Sequence, residues 1–392
     1  MFAKDVYELG NRKSCIRELF AYGLQKAAEV GKENVFDFSL GNPSIPAPEK
    51  VNESICGIIA ERDSLAVHGY TVAAGSLSVR ETVAQDLSRR FNTKIGAENL
   101  FMTCGAAPAL TAVLRALKTE HGEIAAFAPC FPEYRVFVEG TGMKFVLVPA
   151  DTDSFEISDE KLLPLLSENT QAVIINSPNN PSGVVYSAEV IGRIAALLKK
   201  KAAEYGHPIY VIADEPYREL VYDGVEVPFI PDIYDDTIVC YSWSKSLSLP
   251  GERIGYVCVP GKAADSRELM TAIAGAARLA GHVCAPSLQQ AVVEECITEM
   301  PDVSAYDRNR KTLYEALISY GYRCPKPEGA FYIFASAPGM TGKEFSDKAK
   351  ELNVLVVPGD DFGCSDFFRI CTCVSYDTIV RSLPLFEKLI KE

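Results

Sequence analysis

Histidine is scarce in this chain: four residues, at positions 68, 121, 207 and 282 of 392. They lie too far apart to offer the clustered spacing of a zinc centre, and the cysteines do not make up the lack, because no C-x-x-C pair occurs. No metal site is expected. No apolar run approaches the roughly 20 residues that span a bilayer. The opening Met1-Phe-Ala-Lys-Asp-Val-Tyr-Glu lacks the apolar core of a secretory signal. Basic residues are outnumbered 39 to 52, and the net charge of −13 is mixed along the chain. A nucleic-acid surface needs a basic patch, so that class is disfavoured, and a membrane role has no support. Low-complexity tracts and internal repeats are also missing.

What is present fits a globular enzyme. Hydrophobic residues make up 48% and charged residues 23%, and 392 residues allow one to three domains with a large core. Most of the twelve cysteines sit singly in apolar runs, such as Val239-Cys240-Tyr241, where a thiol acts as a small hydrophobe. A reducing cytoplasm suits that usage. Cys371 and Cys373 form the one close pair, and their spacing puts them on one face of a strand, with packing as the expected role.

Periodicity divides the chain. Helical spacing marks 14–31 and 76–91, with a strand-to-turn segment from Val35 to Pro43 between them. From about 100 to 260, apolar strands at 124–128, 144–149, 172–176, 209–213, 237–242 and 255–259 alternate with helices near 106–118, 158–167, 187–205 and 263–280. Near-continuous apolar strands separated by helices predict an α/β fold with a mostly parallel central sheet covered on both faces. Ligands bind such sheets at the carboxyl ends of the strands. After about 285 the pattern changes to helices at 286–299 and 303–320, strands at 330–335, 355–357 and 367–372, and helices at 342–351 and 377–390. We read residues 46–285 as a large domain and 286–392 as a smaller α+β domain. Residues 1–45 are an N-terminal segment packed with the small one.

Polar residues gather at the predicted strand ends. Tyr241-Ser-Trp-Ser-Lys245 places one lysine just past a strand, with Arg253 eight residues on. Burial and a nearby cation favour the neutral amine, which attacks aldehydes. The serine hydroxyls and the guanidinium suit a phosphate dianion. Thr103-Cys-Gly105-Ala106-Ala107 lets backbone N–H groups approach an anion at a helix start, or is a plain turn. Phe131, in a proline-bounded turn, can stack on a flat ring or simply join the core. Asn176-Ser-Pro-Asn-Asn180-Pro-Ser-Gly183 either rigidly presents an amide donor or is an elaborate turn. Asp214, ending a buried strand, is costly if unpaired. A cation such as a protonated pyridine resolves that, the alternatives being a helix N-cap or a metal ligand, which the scarce histidines disfavour. Tyr217 follows it by three residues. Arg369 lies in an apolar strand and needs either a carboxylate ligand or a structural ion pair. Arg278 reads either as a surface arginine on a helix or as a cation for a distal substrate carboxylate.

Taken in order, these strings resemble the class I/II aminotransferases among the fold-type I pyridoxal-phosphate enzymes. The resemblance spans nearly the whole chain: Gly41-Asn-Pro, Tyr70…Gly75…Arg80, Gly105-Ala106, Phe131, Asn180-Pro-Ser-Gly, Asp214-x-x-Tyr217, Ser242-x-x-Lys245, Arg253 and Arg369. It implies pyridoxal 5'-phosphate as cofactor, with Lys245 forming its Schiff base and then shuttling protons. It implies that Asp214 pairs with the pyridine nitrogen, that Asn180 and Tyr217 reach the ring oxygen, and that Phe131 stacks on the ring. Gly105, Ala106, Ala107, Ser242, Ser244 and Arg253 would hold the phosphate. Tyr70 would reach the partner's phosphate in a homodimer with shared sites. Arg369, beside the Gly41 backbone, would clamp the α-carboxylate, with Asn180 close by. Ser182 stands where the family often has Thr, and Phe131 where relatives carry Tyr or Trp. The implied activity is ping-pong transfer of an amino group from an L-amino acid to a 2-oxo acid. A C–S β-lyase or another elimination enzyme on the same fold shares these motifs, as do pyridoxal-phosphate-sensing regulators that carry a fused DNA-binding segment.

Overall fold

The computed structural model describes residues 2–11 and 14–391. In chain order its strands are β1 (Phe36–Asp37), β2 (Leu100–Thr103), β3 (Glu123–Phe127), β4 (Lys144–Val148), β5 (Thr170–Asn176) and β6 (Tyr210–Asp214). They continue with β7 (Thr237–Ser242), β8 (Gly255–Cys258), β9 (Tyr332–Ser336), β10 (Val354–Leu355), β11 (Val357–Pro358) and β12 (Phe367–Cys371).

Seven strands form the main sheet in the order β2-β8-β7-β6-β5-β3-β4. Only β8 runs against its neighbours, so the sheet is mostly parallel, as expected. Alternation along each strand feeds two separate cores. Phe101, Ile124, Ala126, Ile174, Ile212, Ile238 and Val257 face helices Ala106–Ala116 and Ser266–Leu279. The interleaved Met102, Ala125, Val173, Val211, Val239 and Cys258 share a core with Leu87, Ile194 and Val292, from helices Leu77–Phe91, Ala188–Tyr205 and Ser287–Cys296. A strand buried on both faces has no polar alternation, which is why these segments read as apolar runs.

A second, smaller body has a three-stranded antiparallel sheet, β11-β12-β9. Its core joins Leu313, Phe345, Phe368 and Phe386 to Phe36 and Phe38 from the N-terminal segment. The β1 strand pairs in parallel with β10, Phe36 opposite Val354.

Several elements depart from the sequence expectation. The segment expected as one strand at 355–357 is two strands with different partners, β10 on β1 and β11 on β12. The helix expected over 158–167 closes at Leu162 and continues as a 3₁₀ turn over Leu163–Leu165, where Pro164 supplies no N–H for the ladder. Cys373 lies beyond the end of β12 at Cys371. Helices Glu49–Glu61 and Glu133–Glu139 were not expected.

Candidate active site

Strand register sets the site. Asn176 is level with Asp214, Asp214 with Cys240, and both Ser242 and Thr103 with Gly255. The carboxyl ends of β2, β5, β6 and β7 therefore meet at one edge. Because β8 is antiparallel, the Arg253 that precedes it arrives at that edge too. A cavity of about 290 Å³ opens there. It is lined by Gly41, Ala106, Ala107, Phe131, Asn180, Asp214, Tyr217, Ser242, Ser244, Lys245, Arg253 and Arg369, with Asn176 and Tyr332. Twelve of the fourteen residues to which the resemblance gives a cofactor or substrate role are thus brought together.

The other two lie apart. Gly105 caps the helix Ala106–Ala116 with φ +100° and ψ 178°, just behind the cavity wall. A β-carbon on it would come within 2.8 Å of the Arg253 guanidinium, so only glycine lets that cation sit on the helix start. Tyr70 is 90% exposed and outside the cavity. Arg278 is also exposed, in the last turn of the helix Ser266–Leu279, and does not line the cavity.

Lys245 sits in a single helical turn, Trp243–Ser246, directly after β7. Its amine donates to the Gly41 carbonyl at 2.6 Å and lies 5.4 Å from the Phe331 ring centroid. Burial lowers its pKa; Cys373 and Cys371 oppose the drop, and Arg369 and Arg253 add to it. A lowered pKa favours the nucleophilic free amine.

Asp214 is buried, and burial raises its carboxyl to about 7. The Tyr134 hydroxyl donates to Oδ2 and opposes that rise, while Oδ1 has no partner among the described residues. An orphaned carboxylate oxygen in a cavity wall calls for a cationic N–H donor. Asn176 braces this wall: its amide donates to the Asp214 carbonyl at 2.8 Å and its Oδ1 accepts from the Asn180 N–H at 2.8 Å.

Arg369 is 2% exposed. Its guanidinium donates to Asn180 Oδ1 at 3.0 Å and to the Ser39 carbonyl at 2.5 Å, and Nε has no partner. No ion pair of Arg369 occurs among the described residues, so the structural ion pair offered by the sequence is not formed among them. The backbone beside it is Ser39, whereas Gly41 serves Lys245. With Oδ1 of Asn180 engaged, the amide nitrogen is left as its donor. The Tyr217 hydroxyl meets the Tyr332 hydroxyl at 2.9 Å.

Two contributors were missed from the sequence. Tyr134 follows Phe131 by three residues and has no role in the sequence reading, although a buried tyrosine hydroxyl needs a partner. Tyr332 sat unremarked in an apolar strand. Cys371 and Cys373 lie beneath this floor with their sulfurs 2.7 Å apart, in one cluster with Tyr217, Phe331 and Tyr332.

The residues present fit a pyridoxal phosphate. Asp214 Oδ1 would accept from a ring N–H, the Gly105–Ala107 helix start and Arg253 would hold an anion, and Lys245 is a depressed amine lining the same cavity. Fold and site together define an α/β enzyme with a lysine-centred cavity on the carboxyl edge of its sheet. The family described as aminotransferase class I and II matches residues 33–382, and the chain belongs to it. It is 30% identical to a probable N-acetyl-LL-diaminopimelate aminotransferase of Bacillus subtilis, over 95% of this chain and 93% of that protein. Among solved structures, an amino transferase from Eubacterium rectale is 51% identical with a TM-score of 0.98, covering 100% of this chain and 98% of that one. The aspartate aminotransferase of Thermotoga maritima is 27% identical with a TM-score of 0.88 over the whole of both chains.

Proposed function

We propose that this aminotransferase uses pyridoxal 5'-phosphate to move an amino group from an L-amino acid to a 2-oxo acid in a ping-pong cycle. The observation that carries the reading is the partnerless Asp214 Oδ1 in the same cavity as the depressed Lys245 amine. When bound, the cofactor supplies a carbonyl for the lysine and an electron sink for the α-carbon. Lys245 holds it and moves the α-proton through Nζ. Asp214 keeps the ring nitrogen protonated, Tyr217 and the Asn180 amide donate to the ring oxygen, and Phe131 covers a face. Gly105, Ala106, Ala107, Ser242, Ser244 and Arg253 hold the phosphate. Arg369 takes the α-carboxylate bidentately, as guanidinium geometry favours.

A homodimer with shared sites is part of the proposal. Tyr70, Val72, Leu77, Leu279 and Val283 are exposed apolar residues on two segments that the Gln290 amide ties together, one bond reaching Thr71 and another Ala285. On such a face Tyr70 would reach a partner's phosphate site. The domain division at about 45 and 285 is likewise our reading. No helix among the described residues is long and apolar enough to cross a membrane; a cytoplasmic location is proposed from cysteine usage.

The test is borohydride reduction of the yellow holoenzyme followed by peptide mass analysis, with an amino-donor panel against 2-oxoglutarate and pyruvate. The label falls on Lys245, and Lys245→Ala abolishes transfer. Full turnover by that variant refutes the assignment. Release of pyruvate and ammonia from a cysteine conjugate, without amino transfer, assigns the chain to β-elimination instead.

A further inference from the structure

Tyr332 stands at a junction that the roles above leave unused. Its ring lies under the Arg369 guanidinium, 4.7 Å from carbon to centroid. Its hydroxyl is 2.9 Å from that of Tyr217. Both phenols line the cavity and are nearly inaccessible, at 3% and 6% exposure. The approach is possible only because residue 41 is glycine: a β-carbon there would fall 2.0 Å from the Tyr332 hydroxyl. Arg369 and Tyr332 are positioned by adjacent strands, with Tyr332 opposite Cys371 and Arg369 opposite Phe334.

We propose that Tyr332 is a positioning residue that couples the carboxylate clamp, Arg369, to the ring-oxygen donor, Tyr217. The inference rests on the cofactor reading above. A phenol has one proton. If Tyr217 gives its proton to the ring oxygen, the bond between the two hydroxyls must run the other way, with Tyr332 donating and Tyr217 accepting. Accepting a hydrogen bond makes Tyr217 a stronger donor. A guanidinium over the Tyr332 ring strengthens the first donor in that chain. When a substrate carboxylate docks on Arg369, it offsets the positive charge. Tyr332 then donates less strongly, and so does Tyr217. Donors to an anionic ring oxygen favour the deprotonated lysine linkage, so their weakening favours its protonated form. The carboxylate of an arriving substrate thereby reports to the reacting nitrogen.

The other ionisable groups around the two phenols are Asp214, Cys371 and Cys373, and the effect of Arg369 on both phenols is to lower their pKa. None of these three groups spans from the clamp to Tyr217, and Asn180, which accepts from Arg369 at 3.0 Å, leads from the clamp to the ring oxygen without passing through Tyr217. Tyr332 touches both.

The experiment is a pH titration of the visible absorption of the holoenzyme, with and without saturating propionate, which has a carboxylate and no amine. In wild type, propionate raises the midpoint by about half a pH unit or more, a scale set by about 1.4 kcal/mol per unit. In Tyr332→Phe the midpoint without propionate starts higher, and the propionate increment falls by more than half. Propionate still saturates, because Arg369 remains. Tyr217→Phe lowers the increment to the same extent, the remainder running through Asn180, and adding Tyr332→Phe to it changes nothing further, as expected for two residues on one path. An unchanged increment in either single variant, or additive effects in the double, overturns the coupling. Absence of any lysine-linked chromophore in wild type removes the cofactor reading itself, a different result.

Discussion

The Tyr134 hydroxyl donates to Asp214 Oδ2, and the other carboxylate oxygen is left buried without a partner. One side of the group is fixed and the other is presented. The arrangement favours a ligand and disfavours the empty protein, because an ionised carboxylate is held away from water with half its acceptors unmet.

That imbalance has a pH signature. Burial raises Asp214 to about 7 from an ordinary value of 3.8. Between those values the folded chain keeps a proton that the unfolded chain has lost, so stability falls as pH rises through the window. In cofactor-free protein, Asp214→Asn should unfold at nearly the wild-type temperature near pH 4. It should become progressively more stable than wild type by pH 8. Tyr134→Phe removes a bond that lowers this pKa and should carry the loss on to higher pH. Thermal unfolding across pH 4–8 reads both; a difference that stays constant with pH defeats the argument. Pyridoxal phosphate should reverse the order, stabilising wild type far more than the asparagine variant.

Much of the site was legible because its residues are local punctuation on apolar strands. Lys245, Asp214 and Asn180 each follow a strand end within a few residues, where a polar group has few reasons to stand. Arg369 was legible for the opposite reason, as a charge inside an apolar strand. Their partners were not legible. Tyr134 meets Asp214 across 80 residues, Tyr332 meets Tyr217 across 115, and Gly41 meets Lys245 across 204. No window of sequence contains such pairs, and a tyrosine in an apolar run reads as core. Similarly, the paired strands at 354–358 blur into one run because Val354, Leu355, Val356 and Val357 are all fully buried while serving different sheets.

Gly105 tests the phosphate cradle. Its φ of +100° with ψ of 178° is a region that is essentially glycine-only. Gly105→Ala should cost about 1–3 kcal/mol of stability from backbone strain. It also pushes the Arg253 guanidinium off the helix start, an exposed side chain that can swing away. Cofactor affinity, measured by fluorescence titration, should fall about tenfold, equivalent to roughly 1.4 kcal/mol. Arg253→Ala should weaken binding comparably, and the two changes together should cost less than their sum. Full additivity would show that Gly105 and Arg253 act on different parts of the ligand.

Arg369 tests the substrate end. A buried guanidinium with no carboxylate partner, held by Asn180 Oδ1 and the Ser39 carbonyl, is oriented before any substrate arrives. Lysine keeps the charge but loses the planar fork and both tethers. Arg369→Lys should therefore lower kcat/KM for an amino acid by about a hundredfold or more, in line with roughly 2–5 kcal/mol for a disrupted buried charge pair. The informative quantity is a ratio. An amino acid and the amine formed by its decarboxylation share a side chain and differ in the carboxylate alone. If Arg369 reads the carboxylate, the variant loses its preference for the amino acid while its slow reaction with the amine is nearly unchanged. If both rates fall together and the ratio holds, Arg369 supports the fold of the cavity and another group binds the substrate.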